Sequence, residues 1–237
     1  MAKVLYPFKI TGFGSYLPPK IQTSKELSKL INKSEDWIIN RTGVYERRIS
    51  EFDVDKMGAI AAREAIGTKD KPDLIINASG VPKQTIPDTS VFIQKELGFN
   101  KIPSFSVHST CLSFLTAIKI ASSFLQIKLY KKILIVSSDR GTRGRNFKEP
   151  ESAALLGDAA AAVYLESSNN KSGLISFSMN TFPKGIDLTE VRGGGTNLHP
   201  QDDITGTDDN LFSMKGPRVY RMARQKVHDL IKQDLRE

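Results

Sequence analysis

Cysteine is close to absent: Cys111 stands alone among 237 residues. One thiol excludes a disulfide scaffold, and without a Cys-x-x-Cys pair there is neither a zinc knuckle nor a dithiol redox couple. Histidine is scarce too. His108, His199 and His228 are isolated from one another and give no metal-ligand spacing, so no metal is expected. Long apolar runs are also missing. Residues 1–9 lack the apolar core of a secretory signal. The most apolar stretch, 111–127, is broken by Lys119 and several Ser and Thr, which makes it too short and too polar to span a bilayer. Repeats and low-complexity segments do not occur. These absences predict a reduced, cytoplasmic protein with no membrane span.

Ordinary globular composition fills the rest. Hydrophobic residues make up 39% and charged residues 25%, enough for one large domain or two small ones. Lys and Arg number 34 against 26 acids, a net charge of +8. The excess is local. Lys128, Lys131, Lys132, Arg140, Arg143, Arg145 and Lys148 face only Asp139 and Glu149, and a second group holds Lys215, Arg218, Arg221, Arg224 and Lys226. Such fields favour acidic partners, although solvated basic faces explain them as simply. Nucleic acid is not expected, since neither group carries interleaved aromatics or a reader motif.

Short β-rich runs alternate with helical patterns, the mark of an α/β fold. Strands are expected over 73–79, 104–108, 132–138 and 173–179, with a turn and strand over 155–165. The run from Gly12 to Leu17 reads as a strand ending in a turn. Helices are expected over 87–97, stopped by Gly98, over 109–129, and from about Gly216 to the end, with polar loops over 193–200 and 202–210. The helix after Cys111 has almost no polar face: Leu112, Phe114, Leu115, Ile118, Ile120 and Phe124 surround it. Such a helix is expected to be buried on several sides.

Cys111 falls at the strand-to-helix junction, where unpaired backbone N–H groups and the macrodipole favour a thiolate nucleophile. A buried structural cysteine is the competing reading. His108, three residues earlier, reads as a core histidine rather than a base. Ser34 is a plausible N-cap and Gly43 a plausible stop for a short helix. On it Trp37 and Arg41 are four residues apart and share a face, where indole and guanidinium can meet an adenine ring and its phosphates. Other motifs fail. Gly12-Phe-Gly14 is only a fragment of a dinucleotide fingerprint, Gly193-Gly-Gly195 lacks a phosphate-loop Lys, and no Gly-x-Ser-x-Gly elbow exists.

In combination these segments resemble the β-ketoacyl-acyl-carrier-protein synthase III family of the thiolase superfamily. The matching stretches are Gly12-Phe-Gly-Ser-Tyr-Leu-Pro18, Ser34 through Arg48, Ile86-Pro-Asp88, Ser109-Thr-Cys-Leu-Ser-Phe-Leu115, Val136-Ser-Ser-Asp139, Leu156-Gly-Asp-Ala-Ala-Ala161 and Met214-Lys-Gly216. They follow family order along nearly the whole chain. The resemblance implies a five-layered αβαβα fold of two similar halves. Its first half, residues 1–170, carries the nucleophile and is expected to be complete; residues 171–237 only begin the second.

By resemblance Cys111 is the nucleophile that takes an acyl group from acyl-coenzyme A, its own N–H serving as one oxyanion donor. Trp37 and Arg41 match the coenzyme A adenine site, and Ile86 lines the acyl pocket where the family commonly has Phe. No cofactor is implied, acyl-coenzyme A being a substrate. The condensation partner is malonyl-acyl-carrier protein, and a homodimer or a longer synthase chain is the expected protein partner. Two departures stand out. Pro150 stands where the family has a second coenzyme-contacting Arg, and no counterpart of the family's His and Asn is found up to Glu237. The condensation step is therefore expected to be slow in this chain. Acyl transfer to an alcohol or amine, and a non-catalytic or vestigial subunit of a complete synthase, are the alternatives.

Overall fold

The computed structural model describes residues 6–169 and 172–234. In chain order the elements run β1 (Tyr6–Tyr16), β2 (Lys20–Thr23), α1 (Ser24–Ile31), α2 (Glu35–Thr42), β3 (Glu46–Ile49), α3 (Val54–Ile66), β4 (Leu74–Asn77), α4 (Thr89–Glu96) and β5 (Ser104–Ser106). They continue with α5 (Ser113–Gln126), β6 (Lys132–Arg140), α6 (Pro150–Ala153), β7 (Asp158–Ser167), β8 (Gly173–Leu174), β9 (Thr189–Glu190), β10 (Ser213–Met214) and α7 (Gly216–Asp234). Two compact units share them. One is built from the segments ending at Pro19, Ser50–Arg140 and Asp158–Phe177; the other from Lys20–Ile49, Gly141–Gly157 and the segment from Ser178 onward.

The first unit is a six-stranded sheet in the order β5-β4-β6-β7-β1-β8. β4 is parallel to β5 and β6, whereas β7 is antiparallel to β6 and β1. Alternation along the strands sends side chains to opposite faces. Ile75, Leu134, Val136 and Tyr164 join α3 and α4 in one core. Leu74, Ile76, Ile133, Ile135 and Leu165 join Ala117, Ala121 and Leu125 of α5 in the other. β4 is buried at every residue, as a central parallel strand covered on both faces should be.

β1 runs through the Gly12 segment, paired with β7, and ends at Tyr16, within the run expected to close the strand. The glycines serve close packing. A Cβ on Gly12 would lie 1.9 Å from the Ala65 carbonyl oxygen, and one on Gly14 2.2 Å from that of Ala61. Only bare backbone lets α3, itself rich in Ala, approach this strand.

Three expectations need correction. β5 stops at Ser106 and leaves His108 exposed in the following loop rather than in a core. The 173–179 strand shrinks to the two residues of β8. The helix after Cys111 begins as a short 3₁₀ turn over Thr110–Leu112 and becomes α-helical only at Ser113. It is not buried all round among the described residues: one side rests on the sheet through Ala117, Ala121 and Leu125, while Leu115 is 58% exposed on the other. Its apolar far side has no second layer over it within this unit.

In the second unit α1 and α2 pack through Leu27, Ile31 and Ile38 on Ala153 and Ala154, with Trp37 partly buried beside them. The ribbon β2–β3 presents Arg47 to the interior, where its Nε donates to the Ala154 carbonyl (2.8 Å) and a terminal nitrogen to Ser24 Oγ (3.1 Å). Burial, then the charge of Arg145, lowers the Arg47 pKa. Glu149 ties β10 to the start of α6: its carboxylate accepts from Ser213 Oγ (2.8 Å) and the Met214 N–H (3.1 Å).

Candidate functional site

Cys111 lies in the connection from β5 to α5, hence at the carboxyl ends of the parallel strands, where open α/β sheets bind their ligands. It is exposed, which disposes of the buried structural reading. The turn around it is strained. Thr110 has φ +49°, a left-handed conformation that a β-branched residue adopts at a cost of about 1–3 kcal/mol.

Hydrogen bonds hold the turn in that shape. Leu112 N–H donates to the Ser109 carbonyl (3.0 Å), and Ser113 N–H to that of Thr110. The Ser113 hydroxyl is buried and does both jobs open to it: it accepts from Ser109 N–H (2.9 Å) and donates to the Thr110 carbonyl (2.7 Å). Among the described residues the Cys111 N–H donates to no carbonyl. It remains a first-turn donor beside its own thiol.

The floor of this site is polar and fixed. Asn77 Nδ2 donates to Ser106 Oγ (2.9 Å), Ser79 Oγ donates to Asn77 Oδ1 (2.7 Å), and Ser138 N–H donates to Ser79 Oγ (3.0 Å). Asp139 receives Gly80 N–H (2.8 Å) and Val81 N–H (3.2 Å) on one carboxylate oxygen. A Cβ on Gly80 would come within 3.8 Å of the Thr110 carbonyl, so this clipped loop abuts the cysteine turn. Burial pushes the Asp139 pKa above the usual carboxylate value, and bonds from Gly80, Val81 and Ser137 oppose that rise. Ile86 lies further along the same loop and is 80% exposed.

Trp37 and Arg41 belong to the second unit. Ser34 caps α2 by accepting from Trp37 N–H (3.1 Å), and Gly43 ends it at φ +69°, so both expected caps hold. The Arg41 guanidinium lies 6.0 Å from the Trp37 ring centre, at the edge of cation–π range. Arg41 also lines a cleft of about 920 Å³. On its α7 side stand Tyr220, Arg221, Arg224 and His228; on the other Glu151 and Leu155 of the segment carrying α6. Gly216 and Pro217 bring the amino end of α7 to the cleft, and three arginines face one carboxylate there. Helix-end N–H groups and guanidinium forks together suit phosphate. Pro150 opens α6 and contributes no charge.

Sequence reasoning missed this α7 wall. Its signal was present in the spacing of Pro217, Arg221, Arg224 and His228, which repeats at the helical period, yet the cluster read as diffuse surface charge. Ser113 was also missed as a support of the cysteine turn, and Asp139 as the group that binds the Gly80 and Val81 N–H groups.

The fold is thiolase-like. The chain superposes on a 3-oxoacyl-[acyl-carrier-protein] synthase III from Aquifex aeolicus VF5 with a TM-score of 0.85 at 26% identity, over 97% of this chain and 71% of that one. A priming β-ketosynthase from the R1128 polyketide pathway gives a TM-score of 0.82 at 24% identity, over 96% and 68%, a likeness of fold. The family model for 3-oxoacyl-[acyl-carrier-protein] synthase III matches residues 105–183, a segment that contains Cys111. Synthases III of Rickettsia bellii and Rickettsia prowazekii are 31% and 32% identical, covering 96% and 92% of this chain and 71% and 68% of theirs. The chain belongs to the β-ketoacyl-acyl-carrier-protein synthase III family.

Proposed function

We propose that this chain is an acyltransferase that loads an acyl group from acyl-coenzyme A onto Cys111, the priming step of a condensation in fatty-acid or polyketide biosynthesis. The Cys111 thiolate attacks the thioester carbonyl. A new C–S bond forms on the protein as the old one breaks, and coenzyme A leaves as a thiolate that takes a proton from water. Oxyanion charge in the tetrahedral intermediate falls on the Cys111 N–H, a donor type worth about 10²–10³ in rate. The carbanion left when malonyl-acyl-carrier protein loses CO₂ then attacks the acyl carbonyl: a C–C bond forms, the Cys111 C–S bond breaks, and the Cys111 thiolate is regenerated. One observation carries the reading: an exposed thiol beside a free N–H, on a strained turn at the carboxyl ends of parallel strands.

Arg41, with Trp37 behind it, is proposed to hold the coenzyme's adenine end, and Arg221 and Arg224 its phosphates, in place of a cation at position 150. Ile86 is proposed to line the acyl pocket, supported by its exposure on the loop that abuts the cysteine turn. The nucleophile-bearing half is proposed to span residues 1–170, with residues 171–237 belonging to the second half. Exposed Ile86, Leu112 and Leu115 support a second copy or a longer synthase chain as partner, and a soluble acyl-coenzyme A substrate supports a cytoplasmic setting. No described helix is long and apolar enough to cross a membrane. Family membership favours the synthase over transfer to an alcohol or amine and over a non-catalytic subunit.

Arg224→Glu tests the cleft. It should raise the acetyl-coenzyme A concentration for half-maximal loading about tenfold, equivalent to ~1.4 kcal/mol, as should added salt in the wild type. Loading indifferent to both would remove the cleft from the coenzyme's path.

A further inference from the structure

The hydroxyl beneath the cysteine turn has a role that the acyl-transfer chemistry does not itself assign. Ser113 is 1% exposed, so its side chain is not a surface group. Its Oγ has two partners on the two residues before Cys111: it accepts from Ser109 N–H and donates to the Thr110 carbonyl. The same carbonyl also takes the Ser113 N–H. A peptide oxygen held twice by one residue has its plane fixed, and the Thr110–Cys111 peptide is the one that follows the left-handed φ of +49°. Were that peptide to rotate back to the ordinary conformation, its carbonyl would leave both donors, and the Cys111 N–H, in the same rigid plane, would turn with it.

We propose that Ser113 is a positioning residue for the synthase reaction: its buried hydroxyl holds Thr110 left-handed and so aims the Cys111 N–H and thiol at one thioester. This rests on Cys111 being the acylated residue. It does not touch substrate. Gly80, whose N–H is held by Asp139, lies close enough that an added Cβ would come within 3.8 Å of the Thr110 carbonyl oxygen.

The test is a cycle of Ser113→Ala, Thr110→Gly and the double variant, with two readouts. Segment-resolved hydrogen exchange should rise at least tenfold at residues 109–113 in Ser113→Ala and stay unchanged in β4 and β6. Acetyl transfer from acetyl-coenzyme A to Cys111 should fall at least tenfold, while alkylation by iodoacetamide, which needs only an accessible thiol, should change less than threefold. Because Gly adopts positive φ freely, adding Ser113→Ala to Thr110→Gly should cost less than threefold in transfer. Equal transfer in Ser113→Ala and wild type, unchanged exchange, or the same loss in both backgrounds would overturn the proposal. If wild type takes no acetyl group, the acyl-loading reading fails by itself and the exchange arm still decides the role of Ser113 in the turn. If Ser113→Ala loses its cooperative melt, the double variant should regain it, and failure to do so also contradicts the proposal.

Discussion

At the scale of single residues, surroundings unlike water change how readily a group binds protons. Asp139 is the clearest case. Burial raises its pKa in the fold, so between 3.8 and the raised value the folded chain binds more protons than the unfolded one. Its contribution to stability is fully present below the unfolded value and is lost as pH rises through the folded value. Asp139→Asn removes that titration. The urea midpoint of wild type relative to the Asn variant should therefore decline as pH is raised through the mildly acidic range; a constant difference would contradict the assignment. Tyr164 shows the same physics without a role in chemistry: burial pushes its hydroxyl up to about 12 while it donates to the Asp70 carbonyl at 2.9 Å. Cys111 stands out in the sequence as the candidate nucleophile by its context, but the left-handed Thr110 does not. β-branched residues disfavour positive φ, and the hydroxyl that offsets this comes from Ser113, which looks unremarkable as a letter in an apolar helix.

Among the elements, caps were the most legible features because they are local. Ser34 and Gly43 bound α2, and Asp88 caps α4 by accepting from Ser90 N–H, as sequence patterns require. Glycines in strands were not, because their reason lies in a helix some fifty residues away. Gly14 in β1 faces the Ala61 carbonyl of α3. Gly14→Ala should destabilise the first unit by about 3 kcal/mol, since backbone on both sides must move. Thermal unfolding checks this, and a variant melting with wild type would show that α3 does not pack as described. The α5 segment misled for a related reason. Its all-round apolarity implied cover on several sides, whereas in the described residues Leu115, Ile127 and Leu129 remain exposed.

For the molecule as a whole, charge and fold point the same way. The net charge of +8 includes three arginines at the cleft, and acyl-coenzyme A and an acidic carrier protein are anionic partners whose approach such a field favours. Composition showed the sign of that field but not its focus, which depends on α7 presenting one face. Family membership, by contrast, was legible from short segments spread from Gly12 to Gly216, three of which are tied to a backbone device: the bare strand β1, the capped α2 and the cysteine turn. The claim on which the rest depends is covalent. After a brief incubation with isotopically labelled acetyl-coenzyme A and acid quench, peptide mapping should find the acetyl label as a hydroxylamine-sensitive thioester on the peptide containing Cys111, and none after Cys111→Ala. A wild-type chain that leaves this peptide unlabelled, or carries its label on another residue, would contradict the account.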